Sequence, residues 1–267
     1  MSKLVEYYNK FNEDKRLLSR HGQVEFNTTI HYIHEKISEL EKSDACVRIA
    51  DIGAGTGRYS LFLAKEGYDV TAVEPVKYNL GILNKHAREE LPEDAMLTAF
   101  QGNALKLKKL PSDSFDITLL MGPMYHLHGE ELLTALMEAK RITKSGGYIF
   151  VQYVLQNYAI IKHGFMDGNI KDSLQKGSLT DGFEVVSSEE ELYEYVPFDR
   201  VNELSEKADL ESVLKISPEG MADYIRPSLN SMDEETFDLF MKYQLSVCEK
   251  PELVGAGSHL LDILKKK

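Results

Sequence analysis

The sequence predicts an α/β protein built on a doubly wound, seven-stranded, mostly parallel sheet, and three observations support this fold class. Short apolar runs that end in glycine or proline are typical of strands buried on both faces of a sheet. These runs alternate with segments of helical periodicity, which favours parallel strands joined by right-handed crossovers. The length of 267 residues, 43% of them hydrophobic, suits one large domain or a domain with an insertion.

The N-terminal region is predicted to be helical before this alternation begins. Four apolar residues share one face of the segment TTIHYIHEKISEL: Ile30, Ile33, Ile37 and Leu40. Asn27 or Thr28 is expected to cap this helix. We therefore expect residues 1–44 to form an N-terminal helical cap and residues 45–267 to form the main domain.

Compact apolar runs predict five strands in the first half of the main domain. These strands are expected at residues 46–53, 69–75, 96–103, 115–122 and 146–154. Helical periodicity predicts helices between them at residues 58–67, 78–91 and 131–143. Gly67 stands where a left-handed C-terminal cap is expected. Ligands of such a sheet bind at the carboxyl ends of the strands, near the point where the strand order reverses.

The alternation breaks after Val154. Residues from about 155 to 209 combine glycines, charges and aromatics without a clear pattern, and we interpret them as a lid inserted over the carboxyl edge. Within this lid, the alternation of Tyr193 and Tyr195 indicates a strand. A strand at 210–217, a helix at 233–250 and a strand at 259–267 then complete the count of seven.

The bulk composition limits the possible partners. A formal net charge of −12 repels a phosphate backbone and so disfavours nucleic acid. The one short basic cluster, Lys106, Lys108 and Lys109, is explained by a solvated loop or strand edge. We expect a cytoplasmic protein with no membrane segment, because the charged N-terminus lacks the apolar stretch of a signal peptide. We expect no metal site, because the histidines lack a ligand spacing.

The segment RIADIGAGTGRYS carries the main functional signal. Its glycines are Gly53, Gly55 and Gly57, whereas the dinucleotide fingerprint G-x-G-x-x-G requires glycine where this chain has Arg58. Asp51 lies two residues before the first glycine. A carboxylate there repels a pyrophosphate but suits an ammonium and a nearby sulfonium, so the electrostatics favour S-adenosylmethionine.

Glu74 closes the second predicted strand. An acid at this place can accept hydrogen bonds from both hydroxyls of a ribose, a role common to adenosine cofactors. The alternative is a solvated charge at the end of a strand.

Several segments in order resemble the class I S-adenosylmethionine-dependent methyltransferases, closest to the small-molecule branch. They are DIGAGTGRYS, VTAVEP, FQGNA, FDITLLMGPMYHL and LMEAKRITKSGGYIFV, which together cover roughly residues 45 to 154. The resemblance implies transfer of a methyl group from S-adenosylmethionine to a small molecule, with S-adenosylhomocysteine as the product.

The resemblance also implies roles for individual residues. Asp51 and the backbone of Gly53, Ala54 and Gly55 are expected to hold the methionine part, and Glu74 the ribose.

Further along the chain, Pro75 is expected to flank the adenine and the Ala104 amide to contact it. Asn103 stands where the family usually has an aspartate that accepts the adenine amino group, so we expect a bond without charge. Met121 and Gly122 are expected to line the methyl-bearing centre.

The loop after the fourth predicted strand holds the candidate catalytic residues, Tyr125 and His126, with His128 a weaker candidate. The alternatives are packing or helix entry for Tyr125 and His126, and a cap or surface position for His128. The loop reads Gly-Pro-Met-Tyr where enzymes that methylate base amines resemble one another in an Asn/Asp-Pro-Pro-aromatic stretch, which also disfavours nucleic acid.

Near the N-terminus, Arg20 and Tyr7 are candidates for contact with the methionine carboxylate. The alternative is a helix that buries Tyr7, Phe11 and Leu17 and leaves its charges in solvent.

Methyl transfer is an in-line displacement that depends mainly on alignment and demands no nucleophilic residue. A non-catalytic S-adenosylmethionine-binding sensor or scaffold therefore remains the alternative function. A nicotinamide-dependent oxidoreductase conflicts with Asp51 and Arg58.

Overall fold

The computed structural model describes residues 19–41 and 47–267 and confirms the α/β class. The strands are β1 (Arg48–Ile52), β2 (Asp69–Glu74), β3 (Leu97–Gln101), β4 (Phe115–Leu120), β5 (Thr143–Leu155), β6 (Tyr195–Val196), β7 (Glu211–Ile216) and β8 (His259–Lys265). The α-helices are α1 (Arg20–Glu41), α2 (Arg58–Lys65), α3 (Lys77–Glu90), α4 (Glu131–Ile142), α5 (Gln156–Ala159), α6 (Ile170–Lys176), α7 (Phe198–Lys207), α8 (Arg226–Asn230), α9 (Glu234–Val247) and α10 (Pro251–Val254). A 3₁₀ turn covers Pro123–Tyr125, and a π-helix covers Ile160–Met166.

The main sheet has the order β3-β2-β1-β4-β5-β8-β7, so the predicted count of seven strands and the mostly parallel pairing are confirmed. Strands β1 to β5 pair in parallel, and β8 runs antiparallel to both β5 and β7. The two-residue strand β6 is an addition that pairs with the end of β5. The strand order reverses between β1 and β4, and a ligand site is expected at the carboxyl ends of these strands.

Apolar side chains cover both faces of the sheet, as a doubly wound fold requires. On one face, Ile33 and Ile37 of α1 and Leu63 of α2 are buried against the sheet. On the other face, Leu136 of α4 and Leu204 of α7 are buried. Because consecutive strand residues point to opposite faces, Asp51 lies on the face covered by α1.

Helix α1 begins at Arg20, so the predicted cap at Asn27 or Thr28 is wrong and both residues lie inside the helix. The reason is tertiary: the first turn bonds to distant segments rather than to a local cap. The guanidinium of Arg20 donates to the carbonyl of Asp233 at 3.1 Å, and the backbone N–H of His21 donates to the side chain of Asn230 at 3.2 Å. The candidate Tyr7 lies outside the described residues.

Residues 155–209 form α5, the π-helix, α6, β6 and α7. Tyr195 lies in β6 as the alternation predicts, whereas Tyr193 precedes the strand. Gly67 follows α2 with a φ of 96°, which confirms the left-handed position expected at this helix end. Within the described ranges, no helix combines the length and apolar character needed to cross a membrane.

Candidate functional site

A cavity of about 420 Å³ opens at the carboxyl ends of β1, β2 and β4, within the size range of small-molecule sites. The residues that the sequence nominates and that line it are Asp51, Gly53, Ala54, Gly55, Glu74, Pro75, Asn103, Ala104, Met121, Gly122, Tyr125 and His126. The fold therefore brings these distant motifs together around one space. Arg20 is placed elsewhere: its guanidinium lies 5.1 Å from the ring centroid of Phe237 in α9.

The loop between β1 and α2 requires glycine at two positions. Gly53 has a φ of 78°, and a Cβ there would lie 2.7 Å from Cδ of Pro123. Gly57 has a φ of 90°, and a Cβ there would lie 2.6 Å from Cγ of Leu83. Both positions combine a left-handed backbone with a close neighbour, so only glycine fits without displacement. The loop after β1 thus passes close to Pro123, in the loop after β4, and to Leu83 in α3.

Asp51 lies at the end of β1 and is buried. The hydroxyl of Ser60, in the first turn of α2, donates to its carboxylate at 2.5 Å. Burial raises the pKa of Asp51 to about 6, and the bond from Ser60 opposes part of this rise. At neutral pH the side chain is therefore ionised but poorly solvated, and a cation in the cavity would stabilise it.

Glu74 joins the end of β2 to the glycine loop. One carboxylate oxygen accepts the backbone N–H of Gly55 at 2.9 Å, and the other accepts the N–H of Val76 at 2.9 Å and the amide of Asn79 at 3.4 Å. Burial raises the pKa of Glu74 above its ordinary value. Two oxygens offer about four acceptor sites, so roughly one remains for a ligand hydroxyl while all three bonds persist.

The end of the cavity near β3 is more exposed. Asn103 is exposed, and its side-chain oxygen accepts the backbone N–H of Leu105 at 2.9 Å. This bond fixes the orientation of the amide in a local turn, which is typical of Asn. Ala104 beside it is buried. The carbonyl of Pro75 accepts the side-chain amide of Gln101 at 2.9 Å.

His126 is held in one tautomer. Its Nδ1 lies 2.9 Å from the carbonyl oxygen of Leu192, and since a carbonyl only accepts, Nδ1 carries the proton and Nε2 the lone pair. Burial lowers the pKa of His126 to about 4, so the ring is neutral at physiological pH. Its centroid lies 5.0 Å from that of Tyr125.

His128 has a different environment from the cap or surface position that the sequence suggests. Its Nδ1 lies 2.7 Å from a carboxylate oxygen of Glu194, and both side chains are about nine-tenths buried. The bond connects the loop after β4 to the region of residues 155–209.

Two buried polar residues that line the cavity were missed by the sequence reasoning. The amide nitrogen of Gln152, in β5, donates to the carboxylate of Glu25, in α1, at 3.0 Å. The available signal was Gln152 itself, because a polar residue inside the apolar run GGYIFVQYV must find a partner or a ligand. Glu25 carried no such signal, since its helix was predicted to begin after it.

Residues 50–151 match a family model described as a methyltransferase domain. A probable S-adenosyl-L-methionine-dependent methyltransferase TehB of Haemophilus influenzae is 26% identical over 123 residues, 46% of this chain and 41% of that protein. A ubiquinone biosynthesis O-methyltransferase of Rhizobium etli is 30% identical over 107 residues, 39% of this chain and 40% of that protein. The chain thus spans about two fifths of the length of the curated relatives it matches.

The fold has solved counterparts. A SAM-dependent methyltransferase structure from Methanosarcina mazei superposes with a TM-score of 0.55 at 18% identity, covering 82% of this chain and 92% of that one. This likeness concerns the fold, and the match of residues 50–151 concerns the domain family. Together with the motifs around the glycine loop, these findings identify residues 50–151 as a class I S-adenosylmethionine-dependent methyltransferase domain.

Proposed function

We propose that the protein transfers a methyl group from S-adenosylmethionine to a small-molecule acceptor by in-line displacement. The observation that carries this proposal is Asp51, a buried carboxylate at the end of β1 that lines the cavity beside the glycine loop. A buried anion is costly unless it is paired, and a cationic ligand supplies the missing charge. A pyrophosphate at the same place would raise that cost instead.

The cavity offers suitable groups for each part of the cofactor. Asp51 and the backbone of residues 53–55 would hold the methionine part, and Glu74 would accept one ribose hydroxyl with the acceptor site that it has left. Pro75, Asn103 and Ala104 would bound the adenine at the more exposed end.

S-adenosylmethionine, when bound, supplies a methyl group on a sulfonium, which is already a good leaving group. The chain's own contribution is alignment and exclusion of water, which is on the order of 7–11 kcal/mol for well-oriented reactants. Met121 and Gly122 at the end of β4 would border the reacting centre. Gly122 also allows the loops after β1 and β4 to approach each other, because a Cβ there would lie 2.6 Å from the carbonyl oxygen of Gly53.

His126 and Tyr125 would act at the acceptor end. Because Nδ1 of His126 donates to Leu192, the lone pair on Nε2 is the one that would accept a proton or a hydrogen bond from the acceptor. A pKa of about 4 makes this ring a weak base that is never blocked by protonation at neutral pH. Tyr125 would pack against the acceptor and orient it.

Two features support a small acceptor. Glu25 of α1 and Gln152 of β5 both line the cavity and are hydrogen-bonded to each other, so the cavity has a bonded polar wall on that side. The net charge of −12 works against a polyanionic partner.

The test has two arms. The first is calorimetric titration of the protein with S-adenosylmethionine, S-adenosylhomocysteine and NADH, and the proposal requires binding of the first two. The second is formation of S-adenosylhomocysteine in the presence of a metabolite library. Turnover with one acceptor class supports the enzyme, whereas binding without turnover across the library favours the non-catalytic sensor or scaffold.

A further inference from the structure

The region of residues 155–209 contributes a segment that is bonded to the loop after β4. We call residues 187–196 the latch segment. The backbone N–H of Glu194 donates to the carbonyl of Tyr125 at 2.9 Å, and the carbonyl of Leu192 accepts Nδ1 of His126 at 2.9 Å. The end of the latch segment is itself anchored, because β6 pairs with the end of β5. The two candidate catalytic residues are therefore tied to a part of the chain about 66 residues away.

Glu194 makes the connection with its side chain as well as its backbone. The residue is 8% exposed, and one carboxylate oxygen accepts Nδ1 of His128 at 2.7 Å and the hydroxyl of Ser187. A buried carboxylate is tolerated only when donors satisfy it. Here the donors come from the beginning of the latch segment and from the residue two positions after His126. One carboxylate thus joins the beginning of the latch segment to its end and to the loop after β4.

The latch segment also forms the surroundings of His126. The ring centroid of Tyr193 lies 5.1 Å from that of His126 and 6.4 Å from that of Tyr125. Titratable groups near His126 include these two tyrosines and also His128, which opposes its protonation. Burial is the main cause of the low pKa of His126.

We propose that Glu194 is a positioning residue for the proposed methyl transfer, and that it acts through His128 and the Tyr125 backbone to fix His126 at the acceptor end of the cavity. This inference rests on the proposed function. A displacement of about 1 Å at a reacting group costs on the order of 100-fold in rate, so loosening this loop is expected to lower turnover while leaving cofactor binding intact.

The direct test follows the protonation of His126 by NMR in protein saturated with S-adenosylhomocysteine. The variants are Glu194→Ala, Glu194→Gln and His128→Ala, and Glu189→Gln is the matched control because Glu189 is an exposed acid in the same segment. In the wild type and in the control, His126 should stay neutral to about pH 5. In Glu194→Ala its midpoint should move toward about 6.5, the value of a solvated histidine. Glu194→Gln should behave nearly as the wild type, because its amide oxygen still accepts Nδ1 of His128.

The double variant His128→Ala/Glu194→Ala tests the route of the effect. If Glu194 acts through His128, the double variant should move His126 no further than Glu194→Ala alone. With an acceptor from the library screen, Glu194→Ala should lower kcat by about 10- to 100-fold and leave the Kd of S-adenosylmethionine within about twofold.

An unchanged His126 titration in Glu194→Ala would overturn the inference, as would a fall in thermal stability with no change in titration or kcat. If Glu194→Ala does not fold, His128→Ala carries the same test, and an unchanged His126 titration in it would have the same meaning. Failure of the wild type to bind S-adenosylhomocysteine would instead refute the proposed function.

Discussion

The carboxylate of Glu74 accepts the backbone N–H of Gly55 at 2.9 Å, and this bond ties the end of β2 to the glycine loop after β1. The second carboxylate oxygen accepts the N–H of Val76, at the start of α3. Glu74 therefore shapes the site before any ligand arrives, in addition to the ribose contact proposed for it.

Replacement of Glu74 by Gln should destabilise the protein and weaken cofactor binding together. The new amide has one oxygen, so its NH₂ group must face either the Gly55 or the Val76 N–H, which leaves a buried donor unsatisfied. The expected loss is about 1–3 kcal/mol in the free energy of unfolding, measured by urea denaturation. Calorimetry should show a Kd for S-adenosylmethionine raised at least tenfold. A variant with wild-type stability and weak binding would mean that the bonds from Gly55 and Val76 to Glu74 contribute little to stability and that Glu74 acts on the ribose alone.

Replacement of Gly53 by Ala should destabilise the fold by more than the left-handed backbone conformation alone predicts. The matched control is Gly177→Ala, since Gly177 has a φ of 72° but no atom within 4 Å of the added Cβ. The free energy of unfolding of the control should fall by about 1–2 kcal/mol, because a residue with a Cβ is strained in the left-handed conformation. The free energy of unfolding of Gly53→Ala should fall further, because the added Cβ meets Pro123. This variant should also bind S-adenosylmethionine less tightly. Equal losses in both variants, with cofactor affinity unchanged, would show that the contact with Pro123 relaxes freely.

The affinity for S-adenosylmethionine should depend on pH through Asp51. The pKa of Asp51 in the free protein is about 6, and a cationic ligand favours the ionised form. Affinity should therefore be flat above pH 7 and fall by up to tenfold per pH unit below 6. Near pH 6, binding should release close to half a proton, which calorimetry in buffers of different ionisation enthalpy measures. The Asp51→Asn variant should lose this release, and a wild type that releases no proton would contradict the role of Asp51.

Asp51 should also lower the stability of the free protein. The pKa of Asp51 is higher in the folded protein than in the unfolded chain. Between about pH 4 and pH 6 the folded state therefore still binds a proton that the unfolded state has lost. The contribution of Asp51 to stability is thus most favourable at low pH and becomes a cost, on the order of 3 kcal/mol, once pH exceeds 6. Asp51→Asn should raise Tm at pH 8 and change it little at pH 4. A variant less stable than the wild type at pH 8 would contradict this.

His126 should affect acid stability in the opposite sense. Its folded pKa is about 4, below the unfolded value near 6.5, so its neutral form stabilises the fold above pH 6.5 and this contribution is lost as pH falls toward 4. His126→Asn retains a donor toward Leu192 without a titratable ring. It should be less sensitive to acid than the wild type between pH 6.5 and 4 in denaturation experiments, and should keep its cofactor affinity while losing turnover. Equal sensitivity to acid would mean that His126 is solvated.

The positions of β1 to β5 along the chain could be predicted because parallel strands buried on both faces consist of short apolar runs. The tight loop after β1 could also be predicted, because its glycines stand in the sequence where the structure requires glycine. Gly53 and Gly57 have conformations and neighbours that only glycine tolerates. The antiparallel direction of β8 leaves no mark in the apolar pattern of its sequence, because both directions bury the same residues.

The remaining parts of the site depend on tertiary contacts. The start of α1 was missed because residues 20–27 lack apolar periodicity and are held by Asp233 and Asn230. Glu25 and Glu194 were missed for the same reason, since a buried acid is recognisable only through the partners that the fold brings to it. The lone polar Gln152 in an apolar run was the one such signal that the sequence offered.

The most direct measurement is calorimetric titration of the wild type and of Asp51→Asn, at pH 7.5, with S-adenosylmethionine and with NADH. If the carboxylate of Asp51 selects a cationic ligand, the wild type binds S-adenosylmethionine and does not bind NADH. The affinity of Asp51→Asn for S-adenosylmethionine is then at least tenfold lower. Tight uptake of NADH by the wild type, together with indifference to S-adenosylmethionine, would contradict the account.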